Sequence, residues 1–270
     1  MKKINYKKIL HLLIWTFSIS GLLVSFSFVS KSEKQISVNR LNISILNNTE
    51  NQFLSEADIR AYFEQSGTKI LNQKFAEINI PKLERLLNVH PAIENAEVSA
   101  ELNGEISVNV LQRTPICRII NADGESYYID SQNKLMPLNE NYSARVIVVN
   151  GNLNEPFARR YQLTVDEIAG SEVYKKVSLL DDIVAVVHVI NQDSTLSSLI
   201  HQININEEQE IELFPAIGNH KIVFGEAKDI EQKFNRLKLF YTEGLNKADA
   251  WNKYSIINLK YKNQVVCTKK

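Results

Sequence analysis

The 270-residue chain carries only two cysteines, Cys117 and Cys267. Two thiols make neither a disulfide framework nor a cysteine metal site, so stability has to come from packing. The two could still pair with each other in an oxidising compartment if neighbouring strands carry them. Net charge is lacking too: 31 basic residues balance 31 acidic ones, which leaves no electrostatic case for nucleic-acid binding. No Gly-rich phosphate loop, no H-E-x-x-H zinc pair and no G-x-S-x-G elbow occurs. His90, His188, His201 and His220 are scattered over different predicted elements; His90 ends a helix, and His188 sits in an apolar helical face. Asp181 and Asp182 are adjacent, so on a helix they point about 100° apart and do not share a site. Nothing here points to an enzyme, a cofactor, a metal or a small-molecule substrate.

What the chain does have is one long apolar run. Ile9 to Val29 is broken only by His11 and small polar residues, and Lys2, Lys3, Lys7 and Lys8 stand directly ahead of it. A helix rising about 1.5 Å per residue needs roughly 20 residues to cross a hydrocarbon core of about 30 Å. The run is longer than the roughly 7–15-residue apolar core of a cleavable signal peptide. The expected layout is a cytoplasmic tail (1–8), a transmembrane helix (9–29), a linker (30–36) and an exported remainder, with the lysines holding the N-terminus inside. The whole chain is 44% hydrophobic and 23% charged, a composition with which that remainder can bury a core.

Residues 37–113 predict the order strand, helix, helix, strand, strand. Leu41, Ile43 and Ile45 alternate with polar neighbours. Ser55 with Asp58 three residues on reads as a capping pair ahead of Ile59, Tyr62 and Phe63. Pro81 suits the first turn of a second helix, whose stripe is Leu83, Leu86 and Leu87 and which His90-Pro91 closes. Val98, Ala100 and Leu102 then alternate up to Asn103-Gly104, and Ile106, Val108 and Val110 alternate away from it. Asn-Gly between two such runs predicts a hairpin with a type I′ turn.

Residues 114–270 read as a mostly antiparallel sheet with flanking helices. Strands are expected at 117–120, 127–130, 145–149, 200–205, 210–214 and 221–224. Helices are expected around 174–190 and at 229–243, the latter with Ile230, Phe234, Leu237 and Phe240 inward. Two last strands, 254–261 and 264–268, flank a turn near Lys262-Asn263. The fold class is α+β: one transmembrane helix, a βααββ domain and a larger sheet domain.

Three stretches carry a resemblance. They are Leu83-x-x-Leu86-Leu87-x-x-His90-Pro91-Ala92-Ile93-x-x-Ala96-x-Val98, ending in Gln112-Arg113-Thr114-Pro115; Tyr127-Tyr128-Ile129-Asp130-x-x-x-Lys134-Leu135-x-Pro137; and Ile257-Asn258-Leu259-Lys260-Tyr261. In this order, behind a membrane anchor, they resemble the FtsQ/DivIB cell-division proteins, with a POTRA domain at 37–113 and a β-domain at 114–270. The resemblance implies a non-enzymatic divisome scaffold of the inner membrane, mostly periplasmic, at the division septum. It would link early and late division proteins, with FtsB-like and FtsL-like partners. It also implies partner binding on the preceding helix, Asp229–Glu243, and on the C-terminal strands, at Tyr254, Ile256, Ile257, Leu259, Tyr261, Val265 and Val266, where an exposed edge offers N–H and C=O groups to an incoming strand. The alternative is a POTRA-type module of envelope protein transport or assembly. Those proteins carry a large membrane barrel or repeated modules, and about 150 charged, helix-containing residues cannot supply such a barrel.

Overall fold

The computed structural model describes residues 15–21, 37–47, 52–101, 103–140, 142–158, 160–161, 163–175, 178–247 and 249–270. The expected tail, linker and most of the expected span (9–29) lie outside them. Residues 15–21 are helical and exposed, and no helix among the described residues is long and apolar enough to cross a membrane. The chain divides into two compact units, meeting in sequence between Gln112 and Arg113.

In the first unit, β1 (Arg40–Ile45), α1 (Glu56–Gln65), α2 (Ile80–Asn88), β2 (Ile93–Ala100) and β3 (Glu105–Gln112) build a three-stranded sheet ordered β1-β3-β2. β1 runs parallel to β3, and β2 runs antiparallel to it. The capping box forms: the Asp58 N–H donates to Ser55 Oγ at 3.2 Å, and the Ser55 N–H donates to Asp58 Oδ2 at 2.8 Å. The Ser55 hydroxyl, which donates to Asp58 Oδ2 at 2.7 Å, and then the Ser55 N–H hold the Asp58 carboxyl below its ordinary pKa, because both bonds favour the charged form. Pro81 sits at the start of α2, where its missing N–H costs nothing.

The hairpin differs from expectation in one respect. Gly104 has φ +90°, as its position requires, but the Glu101 N–H donates to Glu105 O and the Gly104 N–H to Glu101 O. That loop is one residue longer than a type I′ turn. The reason is register. The observed pairing sets Val98 opposite Val108 and Ala100 opposite Ile106. A two-residue turn would shift the strands by one and place Val98 opposite Asn109, breaking the shared apolar face.

The second unit is a nine-stranded sheet ordered β12-β11-β10-β9-β8-β7-β4-β5-β6. Its strands are β4 (Pro115–Ile120), β5 (Ser126–Asp130), β6 (Leu135–Pro137), β7 (Ile147–Gly151), β8 (Ile200–Ile205), β9 (Ile211–Pro215), β10 (Lys221–Gly225), β11 (Tyr254–Asn258) and β12 (Val266–Lys269). The helices are α3 (Val165–Gly170), α4 (Leu180–Gln192), α5 (Ser194–Leu199) and α6 (Ile230–Leu239), the last continued by a π-helical stretch, Phe240–Asn246. The sheet is antiparallel at five of its eight neighbour pairings, as expected, and mixed because β4–β7, β7–β8 and β10–β11 are parallel. Helical segments separate β7 from β8 and β10 from β11, and a crossover of that kind returns the chain in the same direction. Buried faces of all four helices share one apolar cluster with the sheet.

The quoted motifs now have physical content. Buried Gln112 accepts from the Leu54 N–H at 2.8 Å and closes β3 in the first unit. Arg113 donates to Asp130 Oδ2 at 2.5 Å, a buried ion pair of the second unit, while Asp130 Oδ1 caps the turn through the Gln132 and Lys134 N–H groups. Cys117 lies on β4 and Cys267 on β12, six strand spacings apart, or roughly 29 Å along the sheet at about 4.8 Å each. A disulfide needs Cα atoms within about 7 Å, so the two do not pair, and both are free.

Candidate binding edge

A sheet can add a strand only where an edge is unpaired, and the two units present four edges. In the second unit β6 is short and ends in Pro137, which has no N–H to offer. Its start is further tied down, since the Val165 N–H donates to Asn133 O and Lys134 pairs with Thr164. In the first unit the segment ahead of β1 is paired, since Val38 exchanges backbone bonds with Asn72 and Gln73 at 2.8 Å each, and on β1 itself Leu41 O accepts from Arg60 at 2.8 Å. β2 is covered by side chains of α2, the Ala96 N–H and C=O by Asn88 and the Val98 N–H by Glu84.

β12 is the exception. It pairs with β11 on one side and forms the outer end of the sheet on the other. The direction of its backbone groups follows from its neighbours. The Leu259 N–H points to Val223 O on the β10 side, so Ile256 and Asn258 face β12 and bond their partners Thr268 and Val266. The Lys270 N–H donates inward to Lys253 O, in keeping with that parity. Cys267 and Lys269 therefore aim their N–H and C=O groups outward, and no partner for these groups occurs among the described residues.

Beside this edge lies a shallow groove of about 390 Å³, lined by Leu239, Phe240, Gly244 and Val265 together with the polar Arg236, Glu243, Asn263 and Gln264. α6 is held against the sheet end by Lys233 Nζ, which donates to Phe224 O and Glu226 O, and by Arg236, which donates to Leu259 O at 3.0 Å. Those bonds fix where Leu239 and Phe240 stand. Leu239 is 62% exposed. The π-helical stretch begins there, a local widening that is frequent at functional positions, and Gly244 leaves room for the Phe240 ring: a Cβ at 244 would come within 3.0 Å of it.

The expected binding residues separate into three groups. Ile257 and Leu259 are fully buried and belong to the core. Tyr254, Ile256 and Val265 are half-buried, with Tyr254 and Val265 packed on the core cluster. Tyr261 and Val266 are exposed, at 50% and 42%. Leu239 lies on the expected binding helix (229–243) but is not singled out by the sequence reading, and Gly244 and the outward backbone of Cys267 and Lys269 fall outside it. For Leu239 a signal existed, since it is an apolar residue off the stripe of Ile230, Phe234 and Leu237 on the same helix. The histidines take structural partners: His188 Nε2 lies 2.8 Å from Asn133 Oδ1, and His220 Nε2 lies 2.7 Å from the Tyr241 hydroxyl. Among the described residues no cluster of three His, Cys, Asp or Glu side chains is placed to hold a metal ion. What the arrangement offers chemically is recognition: backbone donors and acceptors for an added strand, and an apolar groove for a side chain next to it.

A βααββ unit with a three-stranded sheet, followed by a larger mixed sheet, defines a two-module α+β protein. Family models divide the chain the same way: a POTRA-like domain matches residues 37–111, and the model described as FtsQ/DivIB, C-terminal related, matches residues 114–268. The second match spans more than half of the chain, and the chain belongs to the FtsQ/DivIB family. No individually curated protein matches it. Domains of these two kinds are typically non-catalytic, and their combination is that of a cell-division scaffold.

Proposed function

We propose that the chain is a non-enzymatic divisome scaffold, anchored in the inner membrane by Ile9–Val29 with its N-terminus in the cytoplasm. Its two folded units stand in the periplasm at the septum and link early to late division proteins. The partners are FtsB-like and FtsL-like proteins, and the contact is strand addition on β12 with an apolar side chain of the partner in the Leu239–Phe240–Val265 groove. The single observation that carries this reading is the unpaired outer edge of β12 beside that groove.

A fluorescent fusion that concentrates at midcell, together with capture of the FtsB-like protein by the full chain, is the expected outcome. Diffuse fluorescence with no capture sinks the proposal. For topology, a reporter active only outside the cytoplasm works when fused after Arg40 and fails when fused after Lys8; membrane-free, processed protein contradicts the anchor. The POTRA-like match also supports a second reading, a module of envelope protein transport or assembly. Co-purification with an outer-membrane barrel instead of division proteins favours that one.

A further inference from the structure

The C-terminal end of α1 builds a hollow in the first unit. Gly67 takes φ +71°, its N–H donates to Glu64 O, and the Thr68 N–H donates to Phe63 O, both at 3.0 Å. That pair of bonds is a Schellman close, and it turns the chain back past the last turn of the helix. The end of α1, residues 67–71 and Leu41 of β1 line a groove of about 540 Å³, within the roughly 300–1,000 Å³ of ligand sites. Its apolar lining is Leu41, Phe63, Ile70 and Leu71, the last 47% exposed. Its charged lining is Arg60, Lys69 and one carboxylate, Glu64. Arg60 donates to Leu41 O at 2.8 Å, which leaves most of its five N–H groups for another acceptor. The Lys69 ammonium has no partner among the described residues.

The groove stands where the chain arrives from its long apolar run. Directly after Leu71, Asn72 and Gln73 exchange backbone bonds with Val38, and Lys74 pairs with Ser37. Eight Cα steps separate Ser37 from Val29, the end of that run, which is at most about 29 Å of extended chain. With the run across a bilayer, the groove is tethered close to the membrane surface. From Ser66 to Ala76 the chain carries Lys69 and Lys74 and no acidic residue. We propose that this groove docks the first unit on that surface: an acyl chain of an anionic phospholipid lies against Leu41, Phe63, Ile70 and Leu71, and Arg60 and Lys69 hold its phosphate. The inference rests on the membrane anchor of the proposed function and is independent of the β12 edge. The chemistry selects the occupant. An apolar lining beside available cations fits an amphiphile with a negative head, and long basic side chains lay their stems on apolar surface while their charge reaches the headgroup. Each such cation near an anionic surface favours binding about fivefold.

The test uses the full chain in nanodiscs that hold equal amounts of a zwitterionic and an anionic phospholipid. Leu71 is replaced by the photo-cross-linking residue benzoylphenylalanine, and mass spectrometry identifies what it captures. The expected adduct is the anionic lipid, in excess over the zwitterionic one. K69A is expected to lower that excess about fivefold, and R60A/K69A to remove it. The same cross-linker in place of Val89, which is exposed but outside the groove, is expected to capture no lipid. Circular dichroism shows that each variant is folded; if R60A/K69A is not, K69A carries the test alone. A chain that enters the discs but captures no lipid at position 71, or captures a protein there, overturns the dock and leaves the anchor standing. Equal capture of the two lipids, unchanged by K69A, overturns the assignment to an anionic lipid. A chain that does not enter the discs refutes the anchor. The cross-link is then read on the chain mixed with vesicles of the same composition, where the absence of a lipid adduct overturns the dock as well.

Discussion

The β2 and β12 edges answer the same physical problem in opposite ways. Each ends a sheet and each would expose a row of backbone groups. At β2 the groups of Ala96 and Val98 are taken up by Asn88 and Glu84 of an adjacent helix. At β12 the neighbouring helix α6 is held to the sheet by Lys233 and Arg236, whose bonds go to Phe224, Glu226 and Leu259, and its apolar end borders a groove instead of covering the edge. Edge strands are usually blunted because they invite pairing with other chains. On the proposed reading, an edge left open beside exposed Leu239 and Val266 is a surface kept for a partner, and an edge closed by polar side chains is one withheld.

The largest effect that separates the two edges is loss of the open one. Removing Val265–Lys270 is expected to abolish capture of the FtsB-like partner while leaving the melting of the first unit unchanged; retained capture would move the site away from β12. Proline distinguishes the two sides of that strand. Cys267→Pro removes an outward donor and is expected to weaken capture about tenfold, the equivalent of about 1.4 kcal/mol and of one hydrogen bond. Thr268→Pro removes an inward ladder bond and is expected to lower the stability of the second unit first.

A change in the first unit sharpens the contrast from the other direction. Gly104→Val places a β-branched side chain at φ +90° with Asn39 Nδ2 and Ser37 O in its way. It is expected to cost about 1–2 kcal/mol of that unit's stability, read from its melting transition, without changing partner capture. Acid is expected to act on the first unit as well. The Asp58 carboxyl is held below its ordinary pKa by Ser55, so its share of stability is present above pH ~4 and fades as the pH falls toward the folded value. An Asp58→Asn variant should show a shallower acid loss. Lys262→Ala, at an exposed turn, is expected to change capture by less than about 0.5 kcal/mol.

Local patterns were legible wherever one face of an element is buried. Alternation at Leu41–Ile45 and Val98–Val110, the Ser55–Asp58 cap and Pro81 are all read directly from residue order. Two kinds of information were not. Strand direction in the second unit depends on which strands become neighbours, and the helices between β7 and β8 and between β10 and β11, though partly visible, were not counted as crossovers. Hairpin register was set by matching Val98 to Val108, which outweighed the local preference of Asn-Gly for a tighter turn. For the candidate site, the C-terminal strands could be named from the sequence, but not which residues face outward. Ile257 and Leu259 look no different from Ile256 and Val266 in a run of apolar residues, and only sheet position makes the first two core. The cover over β2 is invisible in the sequence for the same reason: Glu84 and Asn88 are ordinary polar positions on a helix until β2 lies beside them.

Amide hydrogen exchange on the full chain, with and without the FtsB-like protein, tests the central claim most directly. Strand addition on β12 predicts that the Cys267 and Lys269 amides become strongly protected on binding, while Thr268, already bonded to β11, changes little. Protection that leaves Cys267 and Lys269 unchanged and falls on another element would contradict it.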